Sequence, residues 1–444
     1  MSGHNVKFSS KLSAVLVAAG CSVGLGNIWR FPYVAGENGG GAFLLVYLLC
    51  ILLIGMPVMF SELAIGRRTQ KSAIGAFYSL SKRWTPVGVS GVLAAFLILG
   101  FYYVVAGWTA GYLTFAVTGE LSQLSTPEQY SDMFSSFVSN PERPILYMWI
   151  FIAITHLIIF MGVEKGLERV SNILMPLLFL ILISLCINSL FLPGSIEGVK
   201  FFLYPDFSKL TGEGLLQAVG QAFFSLSIGL GALIAYGAYI PKDSNLKNTT
   251  LQVMSLDTAV AILAGLIIFP AAASVGIKPD AGPALVFQTL PAIFNTLPMS
   301  DLWASIFFLL LVIAALTSTM SLHEVTTVFF MEELKLSRRN GAMLTSVIVG
   351  LLGMVSIYSV CTPTDTIPLF DLLDYLTANI MLPLGGMATS IFAGWKLDRK
   401  ILEAELTSDG LYPTKILPVM IFLLKYVCPI VIFVVFLDST GILK

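Results

Sequence analysis

Gly20-Cys21-Ser22-Val23-Gly24-Leu25-Gly26-Asn27 sets three glycines and two polar side chains near the middle of an apolar run that extends over residues 9–35. A run of about 20 apolar residues suffices to cross a hydrocarbon layer roughly 30 Å thick as a helix. Each glycine weakens such a helix by about 1 kcal/mol relative to alanine, so its weakest turn falls at mid-depth. Ser225-Leu226-Ser227-Ile228-Gly229-Leu230-Gly231 repeats the arrangement in a second run, residues 214–241. Two explanations fit the glycines: close packing of neighbouring helices through small residues, or local unwinding that frees backbone carbonyls and amides. Asn27, Ser225 and Ser227 favour unwinding, because packing does not need polar groups there.

The same pattern of long apolar runs fills the chain. Its 444 residues are 56% hydrophobic and 11% charged, with a mean hydropathy of +0.86. So few charges could not cover a soluble globule. Eleven runs stand out, at 9–35, 41–66, 88–118, 144–162, 166–192, 214–241, 250–275, 301–332, 340–359, 368–395 and 416–437. Each reads as a helix, since backbone polar groups in lipid must be satisfied within the segment, and the chain is expected to be an all-α membrane protein. Lys and Arg gather in alternate connections, among them Lys7, Lys11, Arg67, Arg68, Lys82, Arg83, Lys165, Arg169, Arg338 and Arg339, while Arg143, Lys200, Lys209 and Lys278 fall in the others. That bias places the N-terminus in the cytoplasm, and eleven crossings then leave the C-terminus outside. No small-residue cleavage site follows the first run, so a cleaved signal peptide is not expected.

A net charge of −1 gives no reason to expect a nucleic-acid partner. Cys21, Cys50, Cys186, Cys361 and Cys428 lack metal-ligand spacing and read as small buried hydrophobes. Asn248-Thr249-Thr250 matches a glycan acceptor but falls on the cytoplasmic side. The two interrupted runs head two five-helix halves, 9–192 and 214–395, with 416–437 added after them. Matching interruptions in two halves are the mark of an inverted-repeat transporter.

A longer stretch carries a family resemblance. Gly24-Leu25-Gly26-Asn27-Ile28-Trp29-Arg30-Phe31-Pro32-Tyr33, followed by Glu37-Asn38-Gly39-Gly40-Gly41-Ala42-Phe43, resembles the signature of the neurotransmitter:sodium symporter family. Agreement continues over nearly the whole chain. The chain is most similar to the bacterial eleven-helix amino-acid transporters, because it lacks a twelfth helix and a long glycosylated loop. The resemblance implies a 5+5 inverted repeat of the LeuT-like kind with helices one and six broken, in a bacterial inner membrane. It also implies sodium-coupled symport of an L-amino acid by alternating access, two sodium ions, no enzyme activity, and no particular oligomeric state.

By the same resemblance, one sodium site would use the Ser22 carbonyl, the Asn27 side chain, Ser225, Asp257 and the substrate carboxylate. A second would use the carbonyls of Gly20, Val23 and Ala314 and the hydroxyls of Thr317 and Ser318. Oxygen ligands suit a small hard cation. Independently of the family, Ala314, Thr317 and Ser318 stand at i, i+3 and i+4, one face of a helix. Back-bonding of both hydroxyls to the preceding turn is the competing explanation. Asp257 lies well inside the seventh run, where a carboxylate is costly and by default functional. Chloride-binding relatives have Asn there and Ser where this chain has Ala261, so chloride independence is expected. Tyr47, Gln221 and Ser225 would then hydrogen-bond Asp257.

Monoamine transporters of the family have Asp at the position of Gly24, and glycine instead leaves room for an α-carboxylate beside sodium. Implied substrate contacts are Ser22, Gly24, Leu25, Gly26, Ile98, Tyr102, Phe224, Ser225, Ser227, Leu230, Ser318, Thr319 and Leu322, a mostly apolar set that suits an apolar or aromatic side chain. Tyr103 competes with Tyr102 for the carboxylate-binding register. Arg30 and Asp374 would close an outer gate over Tyr102 and Phe224. Phe8, Tyr239 and Glu332 would close an inner one with Lys7 or Lys11, since the family's basic residue falls at Asn5. Gly166 and Pro176 match a glycine-to-proline motif linked to unwinding of helix five, or else mark a simple proline kink. Glu62 resembles the acid that ties the unwound backbone. His323-Glu324 has no family role and reads as a structural pair. A sensor with no transport activity, or a channel, are the rival classes; no appended cytoplasmic domain supports the first, and paired gates argue against the second.

Overall fold

A computed structural model describes residues 7–276, 285–296, 298–362 and 367–442. Asn5 and Lys278 lie outside the described residues. Among the described residues nine continuous helices are long and apolar enough to cross a membrane: Gly41–Thr69, Lys82–Val117, Glu142–Phe160, Val163–Leu190, Leu246–Ser274, Ser300–Glu333, Arg338–Cys361, Leu369–Lys396 and Leu417–Ser439. Ahead of them, Lys11–Ser22 and Gly26–Glu37 form a tenth span bent by 56° at its break. Gly212–Ser225 and Ala232–Tyr239 form the other interrupted span, sixth in chain order, separated by residues 226–231. Among the described residues helices therefore stand at all eleven expected runs, and ten of these, with the bent pair taken as one, are long and apolar enough to cross a membrane; their ends lie within a few residues of the hydropathy limits.

Local chemistry places the breaks. The Ser10 hydroxyl caps the first helix by accepting from the Ser13 amide at 3.0 Å. The helix ends at Ser22, where Val23-Gly24 leads into a wide turn, Gly26–Arg30. In the sixth span Gly229 and Gly231 adopt φ of +89° and +71°, values open to glycine. Ser227 between the two half-helices has φ +53°, which costs a non-glycine residue energy and marks a constrained site.

The third and eighth spans form the centre, each with 72% of its most apolar window buried, whereas the eleventh has 28%. Exposed Phe422, Ile430 and Phe433 on that last helix suit a lipid-facing surface. Glycines let backbones meet where the second span crosses the second half-helix of the sixth, Ala232–Tyr239. A Cβ on Gly66 would strike the Ile234 carbonyl, and one on Gly237 the Leu63 carbonyl. Gly66→Val or Gly237→Val is expected to force these helices apart and cut the yield of monodisperse protein at least about fivefold, the overpacking penalty being about 1–3 kcal/mol or more. Size-exclusion profiles in detergent measure it.

Short helices fill several connections that hydropathy leaves blank, including Ala73–Leu80, Pro127–Ser139, Ser195–Leu203 and Arg399–Thr407. Among these, Arg399–Thr407 is held by a buried ion pair, Arg67 Nε to Glu405 Oε2 at 2.5 Å. Arg67 also donates to the carbonyls of Ser244 and Glu405, both at 2.7 Å.

Candidate functional site

The two breaks face each other and are cross-linked by hydroxyls. Ser22 Oγ donates to the Leu226 carbonyl at 3.4 Å, and Ser227 Oγ donates to the Cys21 carbonyl at 3.1 Å. Glu62, fully buried in the second span, accepts the Gly229 amide at 2.8 Å, the tie to unwound backbone that the sequence suggested.

Beside the first break lies a buried polar cluster. Asn27 Nδ2 donates to Asp257 Oδ1 at 2.8 Å, to the Asp257 carbonyl at 3.2 Å and to Ser225 Oγ at 2.8 Å. Ser225 Oγ donates in turn to Asp257 Oδ2 at 2.7 Å. A hydrogen-bond donor from the first span thus sits among oxygens from the sixth and seventh, and a set of carboxylate, hydroxyl and carbonyl oxygens also fits a hard cation. Asp257 and Asn27 are both 0% exposed, so their charge and dipoles act in a dry setting. Asn27 Oδ1 accepts the Gly24 amide at 3.1 Å, which fixes the unwound turn against the cluster.

Two expected contacts of Asp257 are corrected. Tyr47 donates to Ser225 Oγ at 3.1 Å, one step removed from the carboxylate. Gln221 donates to the Gly26 carbonyl at 3.0 Å, which also accepts the Phe31 amide across the wide turn, since a carbonyl oxygen has lone pairs for two donors. Ser225 alone of the three bonds Asp257 directly.

A second set of oxygens lies across the first helix. The Val23 carbonyl is approached by Thr317 Oγ1 at 3.5 Å and Ser318 Oγ at 3.3 Å, and Thr317 Oγ1 is 3.0 Å from the Ala314 carbonyl. Ligands about 2.4 Å from a hard cation stand about 3.4 Å from one another, so this spacing fits one. Gly20 packs on Thr317, a Cβ there falling 3.4 Å from the threonine Cβ.

Between the two sets is a cavity of about 50 Å³ lined by Cys21, Ser22, Gly24, Gly26, Ile98, Tyr102, Phe224, Ser227, Leu230, Ser318, Leu322 and Leu382. Tyr102 rather than Tyr103 faces it, and the Tyr102 hydroxyl accepts the Leu25 amide at 3.2 Å. A Cβ on Gly24 would lie 3.1 Å from that hydroxyl and closer still to Ser318 Oγ, so glycine keeps the space between them open. Leu25 faces a larger neighbouring cavity on the Arg30 side instead, and Ser225 belongs to the polar cluster. Thr319 does not line the cavity: it turns to the fourth span, where its hydroxyl meets Thr155 at 3.3 Å. Cys21 and Leu382 were not anticipated as lining residues; Cys21 could have been, since it lies within the break.

Next to the central cavity, sharing Tyr102 and Phe224 with it, a larger one of about 400 Å³ is lined by Trp29, Arg30, Tyr102, Phe224, Asp371 and Asp374, among others. Arg30 lies over the Phe224 ring, 4.6 Å from its centroid. Among the described residues it forms no ion pair with Asp374.

The opposite side is closed. Phe8 donates its amide to the Tyr239 carbonyl at 3.1 Å and packs edge-on against the Tyr239 ring. Tyr239 donates its hydroxyl to Glu324 Oε1 at 2.9 Å, and Arg338 pairs with both Glu324 oxygens while donating Nε to the Ile159 carbonyl at 2.9 Å. Glu332, expected here, instead accepts the Ser72 amide at 2.9 and 3.1 Å, because the start of helix Ala73–Leu80 offers an unpaired donor. Lys7 and Lys11 are exposed and join no described ion pair. His323 and Glu324 do not pair with each other; His323 reaches Thr327 at 3.1 Å and Ser346 at 2.9 Å. Arg338 was missed as a partner, although a buried acid at Glu324 implied that some cation must face it.

The sodium:neurotransmitter symporter family model matches residues 5–136 and 128–443. The chain belongs to that family. It is 38% identical to the sodium-dependent transporter YhdH of Bacillus subtilis, over 99% of this chain and 98% of that protein. It is 26% identical to the bovine sodium-dependent dopamine transporter, over 87% of this chain and 62% of the other. Among solved structures, MhsT in complex with L-phenylalanine is 43% identical, with a TM-score of 0.89 over 98% of this chain and 99% of that one. The chain is thus a multi-pass, sodium-dependent transporter with the LeuT-like fold, and not an enzyme.

Proposed function

We propose that this symporter carries an L-amino acid with an apolar or aromatic side chain into the cell, coupled to two sodium ions and independent of chloride, in the inner membrane of a bacterium with its N-terminus cytoplasmic. Residues 9–192 and 214–395 would be its two inverted repeats. The observation that carries the reading is the dry cluster of Asp257, Asn27 and Ser225 beside the unwound turn. There the carboxylate provides the fixed negative charge that lets a cation sit in low dielectric. The first sodium would lie among Asp257, Asn27, Ser225 and the Ser22 carbonyl. The second would lie among Val23, Gly20, Ala314, Thr317 and Ser318. The substrate carboxylate would fill the space that Gly24 leaves by Tyr102 and Ser318, and its side chain would face Ile98, Leu230 and Leu322. The phenylalanine bound to MhsT supports this substrate class.

With Arg30 apart from Asp374 and Phe8, Tyr239, Glu324 and Arg338 joined, the molecule stands closed inward and accessible outward, one of two states that alternating access requires. The driving force is adequate: two ions falling through 100 mV and a tenfold gradient release about 7 kcal/mol, a ceiling of about 10⁵-fold accumulation. Proteoliposomes with an inward sodium gradient, offered all twenty amino acids in chloride and then gluconate, test the reading. Sodium-dependent uptake and counterflow of apolar or aromatic amino acids, equal in both anions, are expected. Binding without counterflow would instead indicate a sensor, and loss of uptake in gluconate would overturn chloride independence.

A further inference from the structure

The span Leu417–Ser439 is the least buried of the described ones, and Lys425 is the single basic residue within it. Lys425 stands roughly 12 Å along the helix from Leu417 by helical rise. A cation that far into a lipid-facing helix is costly and calls for a counter-charge or a path to water. Among the described residues no acid pairs with it.

Its surroundings are aromatic. The Lys425 ammonium lies over the Trp395 ring, 5.0 Å from the centroid, and the Trp395 indole donates to the Lys425 carbonyl at 3.0 Å. Tyr426 packs edge-on against Trp395 at 5.5 Å, and Phe422 stands 5.6 Å from Tyr426. These rings do not form a core: Trp395 is 58% exposed, and Tyr426 and Phe422 are exposed as well. Lys396, next along the chain, is also exposed and joins no described ion pair.

The backbone beneath them is braced. Phe392–Lys396, at the end of the span Leu369–Lys396, and Leu423–Val427 are both wide π-helical turns, a form that recurs at functional sites. The two turns meet closely, since a Cβ on Gly394 would stand 3.0 Å from the Leu424 carbonyl, and Ser390 Oγ donates to that same carbonyl at 2.9 Å. With the indole bond added, the cation and the ring beneath it are held at a set spacing on the outside of the bundle.

We propose that Lys425, Trp395 and Tyr426 form a binding site for one anionic phospholipid, its phosphodiester on the Lys425 ammonium and its acyl chains against the exposed rings. The phosphate supplies the counter-charge that the protein withholds, at a depth where low dielectric strengthens the attraction. Basic positions between spans recruit anionic headgroups in this way. A net negative lipid is favoured over a zwitterionic one, whose own ammonium competes with Lys425 for the phosphate. The orientation proposed above puts the site in the cytoplasmic leaflet, but the binding itself does not depend on that reading.

The full chain, purified into mixed micelles with equal amounts of phosphatidylglycerol and phosphatidylcholine, is weighed by native mass spectrometry. One phosphatidylglycerol is expected to be retained about fivefold over phosphatidylcholine, the preference that one lysine beside an anionic lipid confers. Lys425→Gln should bring the ratio near one, Lys425→Arg should keep it, and Trp395→Leu should lower it to about half by releasing the ammonium. Lys242→Gln, which removes an exposed charge elsewhere, should leave it unchanged. A parental ratio in Lys425→Gln is the result for a lysine that only snorkels to water, and it would overturn the site. An equal drop in Lys242→Gln would overturn it too, by reducing the effect to general charge. Excess inorganic phosphate should leave the lipid bound; displacement would assign the site to a free anion instead. If Lys425→Gln does not give monodisperse protein, Trp395→Leu carries the test, and a parental ratio there overturns the proposal.

Discussion

Replacing Asp257 with Asn is expected to lower uptake in chloride-free medium by about two to three orders of magnitude. The carboxylate is 0% exposed and accepts from Asn27 and Ser225. Removing one charge of a buried set costs about 3–5 kcal/mol, and each 1.4 kcal/mol is tenfold in affinity. Asn keeps the shape but loses the charge, and its own amide competes with Asn27 as a second donor among too few acceptors. Chloride should restore part of the activity, more so when Ala261, one turn away and buried, is also changed to Ser. Uptake assays in gluconate and chloride read both effects. Activity of the single variant near the parental level without chloride would show that Asp257 is not the counter-charge for sodium.

Arg338→Ala should be the most damaging change on the inner side. It strips a fully buried Glu324 of its cation and leaves it the Tyr239 hydroxyl as its remaining described donor. An uncompensated buried charge costs about 3–5 kcal/mol, which is enough to disfavour the closed inner side altogether. Uptake is expected to fall by at least about tenfold and the thermal midpoint to drop. Adding Glu324→Gln to Arg338→Ala should recover much of both, since the neutral amide has no charge to bury. A double variant worse than the single one would mean that the two residues act separately.

Much of this was legible in the sequence because membrane physics is restrictive. A crossing of lipid must be a helix of known minimum length, so hydropathy marked the spans, and glycine runs flanked by Asn27, Ser225 and Ser227 marked the breaks. The amphipathic helices outside the apolar runs escaped notice: Arg399–Thr407 buries Leu402 and Leu406 on one face yet has no long apolar run to announce it. Asp257 stood out since a carboxylate deep in a spanning helix is rarely idle. Rotamer-level partners were not legible. Whether Gln221 turns to Asp257 or to the Gly26 carbonyl depends on how the break sets the backbone beside it, and Glu332 went to Ser72 because a helix start offers its amide there. Thr319 illustrates a further limit, as adjacent residues on a helix point about 100° apart and only Ser318 of the pair can face the cavity.

The central claim is that backbone at the two breaks holds a sodium ion against the carboxylate of the substrate. Thermodynamic linkage makes it directly measurable: sodium must strengthen amino-acid binding by the same factor as the amino acid strengthens sodium binding. Isothermal titration of the purified transporter, with sodium varied against choline, is the decisive measurement, run with an apolar amino acid and with its carboxamide. The account predicts reciprocal coupling of at least about tenfold for the acid and nearly none for the amide. Equal sodium coupling for both ligands would contradict it.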